Sequence, residues 1–169
     1  APAVADWDED ALLLSSAHQQ AEPFEFDATI APGDALEMGG IAWQAIHVPG
    51  HDMHALAYYA PNERILISGD ALWQDGFGVM FAELHGDNSG LPAQRRTLEM
   101  LGELEVRAVI PGHGAPFADF DAAMKRALQR LAAFEQSPEM HAQARQPRLH
   151  PQMGSGRARR HGLRLGQRW

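Results

Sequence analysis

The 169-residue chain contains no cysteine. That excludes a disulfide framework and any thiolate metal site, so a metal bound here takes its ligands from His, Asp or Glu. No apolar run comes near the roughly 20 residues that a membrane-spanning helix needs. No basic-then-apolar signal opens the chain either, and a cytoplasmic protein is the expectation. No Met stands at the start, which reads as a processed chain or a piece of a longer one. Acidic residues are lacking after Glu139: all 22 lie at or before it, and seven arginines follow it. The net charge of −8 therefore divides into a body near −15 and a tail of +7. An acidic body argues against nucleic acid as the main partner, because phosphate contacts need a basic face. Otherwise the composition, 45% apolar and 21% charged, is that of an ordinary globular protein.

What the chain does have is one pattern three times over. The apolar run Ile46-His47-Val48-Pro49-Gly50 ends in His51. Ile65-Leu66-Ile67-Ser68-Gly69 ends in Asp70, and Val109-Ile110-Pro111-Gly112 ends in His113. Each reads as a strand, a tight turn and then an imidazole or carboxylate. Glycine permits the sharp turn and a close backbone approach to a ligand. His nitrogen and carboxylate oxygen are donors that Zn²⁺ accepts, and Fe and Mn are also compatible. Three such units suggest several strand ends converging on one metal site.

The rest of the chain reads as layered α/β. Residues 35–38 and 41–48, joined by Gly39-Gly40, predict a hairpin with positive φ in its turn. Residues 55–60 and 64–68, around Pro61-Asn62-Glu63, predict a second. Residues 70–87 are rich in glycine and aromatics without a clear period, as expected of an ordered loop over a site. A helix is expected over 91–104, with Leu98, Leu101 and Leu104 inward, and a strand over 106–110. A second helix is expected over 119–134, with Phe120, Met124, Leu128 and Leu131 inward and Asp119 or Asp121 as its cap. Residues 7–16 suggest a further helix with Leu12 to Leu14 inward. Strands followed by helices, with candidate ligands at the strand ends, point to an α/β layer architecture.

Taken in order, the Pro-Gly-His, Ser-Gly-Asp and Pro-Gly-His-Gly turns resemble the metallo-β-lactamase superfamily over roughly residues 32–134. The hydroxyacylglutathione hydrolase-like branch is the nearest in style, through Gly69-Asp70-Ala71-Leu72-Trp73. The resemblance implies an αββα sandwich with two divalent metal ions, most often zinc. It implies His51 on one metal, Asp70 bridging both and His113 on the second. It also implies hydrolysis of an ester, thioester or lactone of a small acyl substrate by a metal-bound hydroxide. The family's His-x-His-x-Asp-His motif is absent here and belongs upstream of everything present. The chain therefore resembles the C-terminal half of such an enzyme, with at most three of seven protein ligands, and is expected to be inactive alone. The alternative is a non-catalytic or degenerate fragment with at most weak metal binding. The acidic body disfavours a nucleic-acid-processing member of the superfamily.

The expected organisation is a connecting segment over 1–32, the half-domain over 33–138 and a basic tail over 139–169. The tail's Arg, Gly, Gln, His and Pro composition suits disorder. It also suits a shifted reading frame in a GC-rich gene, since the family usually ends in a compact helical segment. Among the other histidines, His54 is a candidate to stand behind the ligands or touch substrate, His47 reads as structural and His85 as a weak substrate-side candidate. Trp73, Phe77 and Phe81 line a pocket or pack the loop, and Asp52 supports His51 or caps a turn.

Overall fold

The computed structural model describes residues 2–12, 14, 20–84 and 86–136. His85 and the basic tail lie outside the described residues. The chain forms α1 (Pro2–Ala5), β1 (Ala35–Met38), β2 (Ile41–His47), β3 (Leu56–Ala60) and β4 (Ile65–Gly69). There follow α2 (Phe81–Leu84), α3 (Gly90–Gly102), β5 (Ala108–Pro111) and α4 (Phe120–Gln136). One five-stranded sheet runs in the order β1-β2-β3-β4-β5.

Both predicted hairpins form, and local turn chemistry explains each. Gly39 and Gly40 take φ of 62° and 74°, the pair of positive values that a two-residue turn between twisted strands requires. The register Leu36↔Trp43 and Met38↔Ile41 follows from that turn. The second hairpin closes through Arg64 at φ 54° and pairs Tyr58 with Ile67. The chain then crosses over through α3, and β5 pairs parallel to β4, as a crossover connection demands.

Residues paired across strands share a face, so alternation assigns the two sides of the sheet. Val48, Ala57, Tyr59, Leu66 and Val109 are buried beneath Leu98 and Leu101 of α3 and Phe120, Met124, Leu131 and Phe134 of α4. Leu72, Phe77 and Met80 of the long loop complete this core. On the other face Tyr58, Ile65 and Ile67 are half-buried, and Ile110 is 40% exposed. This is one sheet with its helical layer, half of the expected αββα sandwich. Among the described residues no helix is long and apolar enough to cross a membrane.

Three expectations are corrected. Residues 7–12 form turns instead of a regular helix, because Trp7 sits at φ 48°, and Leu14 N–H reaches Glu9 at 3.1 Å, outside the α-helical spacing. Leu13, like residues 15–16, lies outside the described residues. Leu128 is exposed at the edge of the α4 stripe, and Ala123 and Ala127 take the inward positions. The long loop carries the short α2. Asp119 caps α4 as expected, accepting from Ala122 N–H at 3.2 Å.

Candidate functional site

Strand direction explains how distant residues meet. β3 is antiparallel to both β2 and β4, and β5 is parallel to β4. β2, β4 and β5 therefore point the same way, and the segments that follow them leave from one edge of the sheet. His51, Asp70 and His113 all stand at that edge. The His51 turn spans the width of β3 to reach Asp70, while Gly112 N–H donates to Gly69 O at 2.8 Å and locks the other two turns together.

The three glycines serve three different needs. Gly69 holds φ of 53°, a left-handed value that turns the chain into Asp70. Gly112 leaves room for the carboxylate: a Cβ there would lie 2.8 Å from Asp70 Oδ1 and 3.0 Å from the Gly69 carbonyl carbon. Gly50 lets the His51 turn pack onto α3, where a Cβ would lie 2.1 Å from Gln94 Oε1 and 3.1 Å from Gln94 Cα. A fourth glycine, Gly78, fills the angle between two of the site residues. A Cβ on it would lie 2.6 Å from His51 Nδ1 and 3.0 Å from Asp70 Cβ.

Asp70 sits between the imidazoles and gives one oxygen to each. His51 Nε2 lies 3.3 Å from Oδ2, and His113 Nε2 lies 3.7 Å from Oδ1. The Nδ1 of His51 is 2.5 Å from Val79 O. A carbonyl only accepts, so Nδ1 carries a proton, and in the neutral form of the ring the lone pair is on Nε2, the side that faces the carboxylate. Two lone-pair donors facing each other at this distance suit a shared cation. Ligands held tetrahedrally at zinc bond lengths sit about 3.3 Å apart, which matches the His51–Asp70 separation. Among the described residues no three His, Asp or Glu side chains close around one point. The arrangement is two pairs of side chains that share Asp70.

Buried polar side chains of α3 fix the turns from behind. Thr97 Oγ1 donates to Pro49 O at 2.7 Å, two residues before His51. Gln94 Nε2 donates to Ala71 O at 2.8 Å, one residue after Asp70. Gln94 Oε1 is left without a hydrogen-bond partner among the described residues. In front, the Phe81 ring lies 4.5 Å from the His51 ring. Trp73 Nε1 donates to Asp70 Oδ1 at 2.9 Å, and its ring stands edge-on to His113 at 5.2 Å.

The remaining candidates separate cleanly. Phe77 is fully buried in the core. Asp52 Oδ1 caps the turn, accepting from His54 N–H at 2.6 Å. His47 Nε2 hydrogen-bonds Met53 O at 2.9 Å in an exposed structural role. Sequence reasoning missed Gly78, Val79, Gln94 and Thr97. The one available signal was Gly76-Phe77-Gly78, two glycines spaced to let a loop run close to a site.

The metallo-beta-lactamase superfamily profile matches residues 2–113, a stretch that holds His51, Asp70 and His113. A hydroxyacylglutathione hydrolase from Bartonella henselae is 27% identical over 121 residues, which are 72% of this chain and 43% of that protein. One from Idiomarina loihiensis is 42% identical over 53 residues, 31% of this chain and 20% of that protein. The chain thus spans less than half the length of these relatives. In structure it resembles a metallo-beta-lactamase family protein from Thermus thermophilus, with a TM-score of 0.58 at 24% identity, over 80% of this chain and 47% of that one. Strand order, the three glycine turns and the matched stretch lead to one assignment: the chain belongs to the metallo-beta-lactamase superfamily.

Proposed function

We propose that this chain supplies His51, Asp70 and His113 to the dinuclear metal centre of a hydrolase acting on a small acyl substrate, a thioester first and an ester or lactone next. The superfamily is one of metal-dependent hydrolases, and the thioester reading is supported by relatives named hydroxyacylglutathione hydrolase. One observation carries the metal assignment: each oxygen of Asp70 faces a different imidazole, at 3.3 and 3.7 Å. Zinc fits the donors, and iron or manganese fits them too.

A divalent cation bound at such a site supplies Lewis acidity, lowering the pKa of a water molecule and polarising a carbonyl. The protein's share is to hold the donors. Val79 O keeps His51 in the tautomer that presents Nε2. Asp70 brings negative charge between two positions that cations would otherwise make repulsive. Phe81 and Trp73 wall the two imidazoles with apolar rings.

The chain by itself carries three donors in two pairs, so it binds metal weakly and turns over no substrate at a useful rate. This is the point at which the degenerate-fragment reading and the hydrolase reading coincide. Elemental analysis and Co²⁺ titration of the purified 169-residue protein, with a panel of acylglutathione thioesters and lactones, test both. Weak divalent binding that Asp70→Ala abolishes, without turnover, is the expected result. Binding indifferent to Asp70→Ala overturns the metal centre. Metal-dependent turnover that is lost in His51→Ala overturns the claim that the chain is insufficient.

A further inference from the structure

Resting on the proposed metal centre, we infer that Trp73 is a positioning residue that fixes the rotation of the Asp70 carboxylate and so keeps one oxygen turned toward each imidazole. A carboxylate turns easily about its last torsion, whose preferences are broad and two-fold. Trp73 Nε1–H removes that freedom by donating to Oδ1 at 2.9 Å. With Oδ1 held, Oδ2 is left 3.3 Å from His51 Nε2. The same indole meets the His113 ring edge-on, so one side chain touches two of the three proposed ligands.

The indole is in turn held from a rigid element. Trp73 and Gly76 exchange backbone hydrogen bonds of 2.6 and 3.4 Å, closing a tight turn. That turn is clamped onto α4. Arg126 Nε donates to Gln74 O at 2.7 Å and lies 3.4 Å from Asp75 Oδ1. Arg130 runs beneath Gly76, where a Cβ would lie 2.9 Å from its Cδ, and its guanidinium covers the rings of Phe77 and Phe134. The line of support runs from α4 through the turn and the indole to Asp70.

The test compares the wild-type 169-residue protein with Trp73→Phe and Asp70→Ala. Phenylalanine keeps a ring against His113 and removes the donor. Co²⁺ is the probe, because its visible spectrum reports coordination as well as affinity. Trp73→Phe is expected to bind Co²⁺ about 10- to 100-fold more weakly, the usual cost of losing an outer-shell partner, and with an altered spectrum, while melting as the wild type does. Unchanged affinity and spectrum in Trp73→Phe, beside lost binding in Asp70→Ala, overturn the role of Trp73 and leave the metal centre standing. Wild-type-like binding in Asp70→Ala overturns the centre itself. If Trp73→Phe fails to fold, the wild-type indole N–H resonance decides. It should shift on Zn²⁺ addition, and stay fixed when Zn²⁺ is added to Asp70→Ala. A resonance indifferent to Zn²⁺ in the wild type, where binding is seen, overturns the proposal.

Discussion

The two imidazoles that flank Asp70 stand in opposite surroundings. The His51 side chain is 20% exposed, bonded to Val79 O, backed by Gly78 and lying against Phe81. The His113 side chain is 72% exposed, and its ring meets Asp70 and stands steeply inclined to the Trp73 ring. Asp70, at 25% exposed, belongs to both. The difference is thermodynamic. Folding has already fixed the rotamer of His51, whereas His113 keeps side-chain entropy that a ligand must still remove. One half of the proposed centre is built by the fold, and the other is completed by what binds.

Gly78 is where that contrast is most easily destroyed. A methyl group there meets His51 Nδ1 at 2.6 Å and Asp70 Cβ at 3.0 Å, and neither neighbour is free to retreat. His51 is tied to Val79, and the Asp70 backbone accepts from Gly78 N–H at 2.8 Å. Overpacking of this kind costs about 1–3 kcal/mol. Gly78→Ala should lose that much in urea unfolding and lose Asp70-dependent Co²⁺ uptake with it. A variant as stable as the wild type would mean that the His51 side is as loosely held as His113.

How much of this was legible in the sequence follows the same division. The hairpins at Gly39-Gly40 and Pro61-Asn62-Glu63, the cap at Asp119 and the three ligand turns are local. Each is specified by residues within a few positions, so sequence pattern suffices. Gly78 and Val79 act on His51, and Trp73 meets His113, only once the loop has folded, and residues 70–87 carry no period that would announce them. Thr97 and Gln94 look like polar residues on the outer face of a helix. They are fully buried because the His51 and Asp70 turns close over them. Leu128 failed for a different reason. Ala123 and Ala127 define the buried stripe of α4, and small residues are weak markers of an inward face.

The anchoring of the His51 turn by α3 gives a smaller effect. Thr97, buried to 1% exposure, donates to Pro49 O at 2.7 Å. Valine has the same shape and no donor, so it leaves a half-buried carbonyl without this partner, at a cost no greater than the about 1–3 kcal/mol of a fully buried one. Thr97→Val should fall toward the lower part of that range in urea unfolding and weaken Co²⁺ binding through His51. A Thr97→Val, His51→Ala double variant should then show no loss of metal binding beyond that of His51→Ala. An added loss would mean that Thr97 supports the whole edge and not the His51 turn.

The smallest effect tests whether α3 needs α4 to do this. Arg95 of α3 pairs with Glu135 of α4 through two hydrogen bonds, one of them 2.9 Å from Nε to Oε1. The hydrogen bond from Arg95 holds the Glu135 carboxyl below its ordinary value of 4.5, and burial opposes this only in part. The sign is that of a depressed carboxylate. Its contribution is present above the unfolded value and fades as pH falls through the lower folded one. Both side chains are partly exposed, at 40% and 35%, so solvent and salt screen the pair to about 1 kcal/mol or less. Glu135→Gln should therefore lose a few tenths to about 1 kcal/mol at pH 7 in low salt. The gap from wild type should shrink as the pH drops below 4.5. If the gap persists in acid, the helices are joined there by packing and not by charge. Metal binding should not follow this small loss, because Thr97 and Gln94 tie the ligand turns to α3 directly.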